Sequence, residues 1–415
     1  MRKFSIALLM ILLVGCGTTV QDGSSGSLEI SDDVEYGKMD YQKIVAPSNE
    51  LGWQLLPVIE PNDEGNRFIS SASLFMAVSM LYNGAEGVTK EEMAHVLGTP
   101  AIEADELNRA NASLMNQLYS DTEAIQLNIA NSIWLNEEYQ FQEEFAENNR
   151  DYFNAEIEEI DIADSGSAKK INDWVKESTN GKIEEITEDP LNPNLVAMLL
   201  NAVYFKGDWQ YPFEEDDTKE RDFHLADGSV KPLPLMELGE TLPYLETADF
   251  QAVALPYGEG EMSMKVFLPK ENSTLAQFEA SLTSDNWSEW NAAFGERYGK
   301  VHLPKFQLDY EVGLNEPLKK LGMKAAFRED AEFTKMVEGD GALNIDTVIQ
   351  KTYLNVDEEG TEAAAVTKIE VESSGSPEEP FEMQVDRPFF LTIEDTESGL
   401  VLFMGAIAEP MNSKK

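Results

Sequence analysis

Residues 358–374 read EEGTEAAAVTKIEVESS, and their types and spacing set up chemistry of an unusual kind. One alternate set is Thr361, Ala363, Ala365, Thr367, Ile369, Val371 and Ser373; the other is Glu362, Ala364, Val366, Lys368, Glu370 and Glu372. The first set is small or apolar throughout, and the second carries every charge. Period-two patterning of this sort marks a strand with one buried and one wet face. Yet the run ends in SSGSPEEP, a composition that favours an exposed, protease-sensitive loop. The segment is therefore expected to occupy both states.

Residues that could do catalysis are not arranged for it. His95, His224 and His302 stand singly, outside HExxH or any similar ligand spacing. Neither a GxSxG elbow nor a phosphate- or dinucleotide-binding glycine motif occurs. Carboxylates are so abundant that close pairs arise by composition alone. The reading is of a protein that is not an enzyme, with no catalytic residues, cofactor or metal.

The elements that must position the segment are partly readable. Helical spacing over Asn49–Ile59 is interrupted by Pro57, which predicts a short or kinked helix. Ser71-Ala72-Ser73 opens a helix through Leu74, Val78 and Leu81, closing near Asn83-Gly84. Over Ala168–Thr179, Ile171, Trp174, Val175 and Ser178 share one face, and Gly181 is the stop. Strand-like runs cover Val196–Phe205, Gln251–Leu255, Met262–Leu268, Lys300–Leu308, Pro388–Ile393 and Leu400–Ala406. Helices and strands mixed without regular βαβ alternation predict an α+β fold.

The 415 residues are enough for a large core, with 42% apolar residues and no internal linker or repeat. Their 31 basic against 77 acidic residues, net −46, repel nucleic acid and anionic headgroups and leave no Lys/Arg cluster for a polyanion. Solubility in a salty medium is one use for such a surface, and steering of a basic protease is another. At the N-terminus, Arg2 and Lys3 precede an apolar run, Phe4–Val14, too short to span a bilayer as a mature helix. It ends in Leu13-Val14-Gly15-Cys16, which looks like a bacterial lipobox. Cys16 is the single cysteine, so lipidation accounts for a thiol that can form no internal disulfide. An ordinary signal peptide with an incidental cysteine is the alternative. The expected organisation is a signal peptide over 1–15, a lipid-anchored acidic tether over 16–45, and a folded domain over 46–415, held at a bacterial cell envelope or secreted.

Six stretches in order resemble the serpin family: FISSASLFMAVSMLYNGAEGVT (68–89), INDWVKESTNGKI (171–183), LLNAVYFKGDWQYPF (199–213), VHLPKFQLDYEVGL (301–314), LNVDEEGTEAAAVT (354–367) and RPFFLTIEDTESGLVLFMGAI (387–407). The resemblance spans roughly residues 46–410. It implies one domain of three β-sheets and about nine helices, with an exposed reactive-centre loop. It also implies inhibition of a serine or cysteine protease through a covalent acyl complex, as a monomer, with no nucleic acid involved. The alternatives are a non-inhibitory serpin that acts as a binding module and, from another class, a lipoprotein hydrolase or solute-binding protein.

The same resemblance assigns residues. Glu358, Gly360, Thr361, Glu362, Ala363, Ala364, Ala365 and Thr367 match an inhibitory hinge, with Val366 the mild departure from small side chains. Glycine supplies the pivot, and small residues enter a sheet quickly. Counting from the hinge puts the reactive bond at Ser374-Gly375, suited to subtilisin- or elastase-like pockets; Ser373, Ser376, Val371 and Lys368-Ile369 remain open. Ser70, Ser73 and Asn201 match the shutter beneath the large sheet, where Gln350 stands in place of the family's frequent histidine and Ser71 in place of a proline. Trp209 matches the breach tryptophan, and Lys305 with Glu358 a hinge ion pair. From Gly360 to Ser374 an extended strand reaches about 46 Å, at ~3.3 Å per residue.

Overall fold

The computed structural model describes residues 30–31, 34–119, 124–339, 343–361 and 379–410. Among these are nine α-helices and fifteen strands: β1 (Arg67–Ile69), β2 (Ile125–Asn136), β3 (Glu156–Ile160), β4 (Ala197–Asp208), β5 (Lys219–His224), β6 (Val230–Glu246), β7 (Phe250–Tyr257), β8 (Met262–Pro269), β9 (Gly295–Pro304), β10 (Phe306–Gly313), β11 (Thr347–Val356), β12 (Gly360–Thr361), β13 (Phe381–Gln384), β14 (Phe389–Asp395) and β15 (Val401–Ile407). Hydrogen bonding links them into two ladders. One runs β10-β11-β4-β2-β3 with β12 on β4, and the other runs β1-β15-β14-β8-β7-β6-β9-β13 with β5 on β6. In the larger ladder β6 serves two neighbours. It pairs β9 over Leu235–Tyr244 and β7 only over Tyr244–Glu246, so two sheets share this one strand.

The six-stranded sheet matters most here. Its neighbours β10 and β11 are antiparallel, β11 and β4 parallel, β4 and β2 antiparallel. Helix Ser71–Gly84 lies against its inner face and is buried nearly all round, as a helix apolar on every side must be. Ser70 caps it, its hydroxyl accepting from the Ser73 amide at 3.3 Å. Helix Ser167–Ser178 crosses the outer face. Ile171, Trp174 and Val175 pack there with Trp134, Leu200 and Ala202 in a separate apolar cluster, and the Trp134 and Trp174 rings meet edge-on at 6.0 Å. Burial of such side chains stabilises by about 2 kcal/mol each, so this helix is held over the sheet rather than resting on it.

Three expectations need correction. The first helix spans Gln42–Leu55, not Asn49–Ile59, and passes through Pro47; Pro57 falls in the one-turn 3-10 helix Leu56–Val58 that follows. Tyr41 and Ile44 are buried, so the folded body begins before residue 46, inside the stretch read as tether. The single strand expected over Lys300–Leu308 is two, β9 and β10, which belong to different sheets. Pro304 ends one and Phe306 begins the other, so Lys305 sits at the corner.

Candidate functional site

The parallel pair β4·β11 is closed over only part of its length. Pairing runs from Thr347↔Met198 to Tyr353↔Tyr204 and stops, whereas β4 continues to Asp208 and β11 to Val356. The two-residue strand β12 occupies that open end. It adds antiparallel to β4, with Gly360 opposite Asp208 and Thr361 opposite Gly207. The first residues of the stretch read as a hinge are thus already paired in the sheet. Thr361 is fully buried, and its hydroxyl lies 2.9 Å from the Tyr257 hydroxyl.

Aromatic packing builds the receptor. Tyr257 ends β7, stacks on Trp209 at 4.3 Å and 12°, and meets Phe205 edge-on at 5.2 Å. Trp209 donates from its indole nitrogen to the Asp357 carbonyl at 2.9 Å and from its backbone to the Glu359 carbonyl at 3.0 Å. The Phe213 amide donates to the Glu358 carbonyl at 2.8 Å. Trp209 thus holds the segment just before Gly360 through two hydrogen bonds. Gly360 fits because it lacks a side chain. Its φ is +155°, and a Cβ there would sit 2.2 Å from the Gly207 carbonyl oxygen.

Glu358 and Lys305 are paired, Lys305 donating to the carboxylate from the β9–β10 corner while Thr218 donates to its other oxygen at 2.8 Å. Burial pushes this carboxyl up, but the Lys305 and Thr218 hydrogen bonds outweigh it and hold it below the ordinary value. Neighbouring Asp357 goes the other way. Burial raises it against the Glu359 and Gly360 amides.

Beneath the centre of the sheet the four shutter residues come together, all essentially buried. The Gln350 amide nitrogen donates to Asn201 Oδ1 at 2.7 Å and to the Ser70 carbonyl at 2.8 Å, and Gln350 Oε1 accepts from the Ser70 amide at 3.0 Å. Asn201 Nδ2 donates to Ser73 Oγ and, at 2.7 Å, to Asn131 Oδ1. Asn131 was not anticipated. It lies opposite Asn201, as Gln350 does on the other side, so three amides form one row across three strands. Every bond in that row is neutral, which removes the titration a histidine would bring. Its one exception is Asn131 Nδ2, a buried donor without a partner among the described residues.

Of the three histidines, His302 is the buried one, 3.6 Å from Glu237 and 3.9 Å from Glu382. Burial first, then Arg221, hold it below its ordinary value. Among the described residues no group of three His, Cys, Asp or Glu could hold a metal ion. Cys16, Glu362, Ala363, Ala364, Ala365, Thr367, Ser374 and Gly375 lie outside the described residues.

The chain matches the family model described as Serpin (serine protease inhibitor) over residues 46–410. It is 34% identical to Iripin-8 of Ixodes ricinus over 384 residues, covering 89% of this chain and 94% of that one. It is 29% identical to an uncharacterized serpin-like protein of Methanosarcina acetivorans, covering 99% and 97%. The crystal structure of tengpin, a thermophilic serpin in the native state, superposes with a TM-score of 0.80 at 32% identity, covering 92% of this chain and 96% of that one. With the family model matching residues 46–410, the chain belongs to the serpin family.

Proposed function

We propose that this serpin is a suicide inhibitor of serine proteases with subtilisin- or elastase-like pockets. The attacking enzyme is acylated on the loop, and the freed loop enters the sheet between β4 and β11 before the acyl bond is hydrolysed. Strand addition to a sheet and release of stored strain are general devices, and serpin loop insertion is a standard instance of both. The observation that carries the reading is the pairing of Gly360 and Thr361 at the open end of a parallel strand pair. A strand antiparallel to both neighbours can continue from there.

Register extends the argument. With Thr361 opposite Gly207, one-for-one continuation brings Ala363, Ala365, Thr367, Ile369 and Val371 to the inner face, where Thr361 already points. Thr367 then meets Asn201 and Gln350, whose direct hydrogen bond it must replace. Its hydroxyl can donate and accept, so no buried amide is orphaned. Val371 arrives opposite Ala197, the first residue of β4. Cleavage at Ser374-Gly375 frees enough chain to fill the strand, whereas cleavage at Lys368-Ile369 leaves it short. This favours the former as the trapping bond and the latter as one cut without trapping.

A lipid on Cys16 would hold the inhibitor at a bacterial cell surface, where it acts as a monomer against foreign or endogenous proteases. The test is to mix the protein with subtilisin, elastase and trypsin and to run denaturing gels. A band of complex that survives SDS is expected with the first two; loop cleavage alone in every case would refute inhibition. Cys16→Ser should move the protein out of the membrane fraction, and its retention there would refute the anchor.

A further inference from the structure

The docked pair that starts the strand also decides what the first charged residue of the loop must meet. Glu362 follows Thr361, and a strand that continued in the same register would bring it opposite Lys206 of β4. On the other side, β11 keeps pace with β4 at a constant offset from Thr347↔Met198 to Tyr353↔Tyr204, which brings Asn355 level with Lys206. Gln126 of β2 is the existing partner of Lys206. One row would thus read Gln126, Lys206, entering strand, Asn355. The row lies on the outer face. Gly207 faces the receptor of Thr361, so its neighbour Lys206 faces the other way. An open cleft is present there, lined by Gln126, Lys182, Tyr204, Lys206, Asn355 and Asp357.

Charge gives the row its meaning. The chain carries 77 acidic residues against 31 basic ones, yet two lysines line this cleft. The surroundings are otherwise hostile to a carboxylate. Asp357 lines the same cleft, and Asp208 is kept up by burial while Lys206 acts to lower it. A glutamate entering beside those two groups meets like charge unless a cation stands opposite.

We propose that Lys206 is a positioning residue for loop entry, receiving the Glu362 carboxylate in the cleft it forms with Gln126 and Asn355. This deepens the insertion reading and rests on it. The occupant is the segment of this chain that begins one residue beyond Thr361.

Two assays separate the proposal from the reading beneath it. In the first, Lys206→Glu and Glu362→Lys are made singly and together, and the number of inhibitor molecules consumed per subtilisin trapped is measured. Each single reversal should raise that number about threefold, the order expected when an opposite-charge cross-strand pair becomes a like-charge one. The double reversal should restore it. Unequal singles without rescue overturn the proposal while leaving inhibition intact. The second assay needs no protease. A synthetic peptide of residues 362–374 is incubated with the intact protein and thermal unfolding is followed. The peptide should raise the melting temperature of the wild type more than its Glu362→Lys version does, with the order reversed on the Lys206→Glu protein. Equal shifts for both peptides, or the same shift from an unrelated acidic peptide, would overturn the assigned register.

Discussion

The hydroxyls of Tyr257 and Thr361 lie 2.9 Å apart, and both residues are wholly buried. The intact protein therefore holds its hinge docked through Gly360 and Thr361. Replacing Tyr257 by Phe removes one buried hydrogen bond and leaves Thr361 Oγ1 unpaired, a loss of about 1–2 kcal/mol from the docked state. Limited proteolysis of the hinge should accelerate in Tyr257→Phe, while the melting temperature of the rest of the body barely moves. An unchanged cleavage rate would mean that the hydrogen bond does not hold the hinge.

Thr361→Arg addresses the same position with more force. Burying a guanidinium without a partner costs several kcal/mol, so the arginine should keep the hinge out of the sheet before and after cleavage. The variant should be cut by subtilisin and form no SDS-stable complex. Gly360→Val should undock the hinge by a different route, since its Cβ would clash with the Gly207 backbone. Wild-type complex yields from Thr361→Arg would contradict the assigned hinge.

At the shutter, Gln350→Leu leaves Asn201 Oδ1 and the Ser70 amide without their partner, which should cost about 3 kcal/mol in urea unfolding. Gln350→His tests the chemistry of the row. It should introduce a pH dependence of stability centred on the imidazole range that the wild-type row lacks. A shift in stability with no change in its pH profile would show that the new ring does not titrate in the shutter.

The Glu358–Lys305 clamp predicts the acid side of the stability curve. The folded pKa of Glu358 is lowered from an ordinary value of 4.5. The clamp's contribution is then fully present above that value and is lost as pH falls through the lower folded one. Glu358→Gln should weaken the protein at neutral pH and flatten its loss of stability below pH 4.5. A parallel offset at every pH would show that the carboxylate's charge is not what matters.

How far the sequence could be read depended on whether a residue's partner was local. The hinge alternation was legible because period two is a local signal, and the helix after Ser70 because its cap and apolar run are adjacent. The docking of Thr361 was not, since Tyr257 is far away in sequence and reads only as the end of a strand. Asn131 escaped for another reason. Strand β2 is covered on both faces and buried almost throughout, so no alternation marks it as a strand or points to its amide. Strand β6 hides behind Pro232, Pro234 and Pro243, residues that argue against a strand unless an edge or bend accepts them. The β9–β10 corner looked continuous because apolar residues persist through it while the chain changes sheets.

The proposed trapping requires an intact fold that lies above its cleaved, inserted form in free energy, and differential scanning calorimetry of intact and loop-nicked protein tests this most directly. A nicked molecule that has taken residues 362–371 into the gap between β4 and β11 should melt well above the intact one. If both melt at the same temperature, cleavage releases no free energy and the trapping mechanism is wrong.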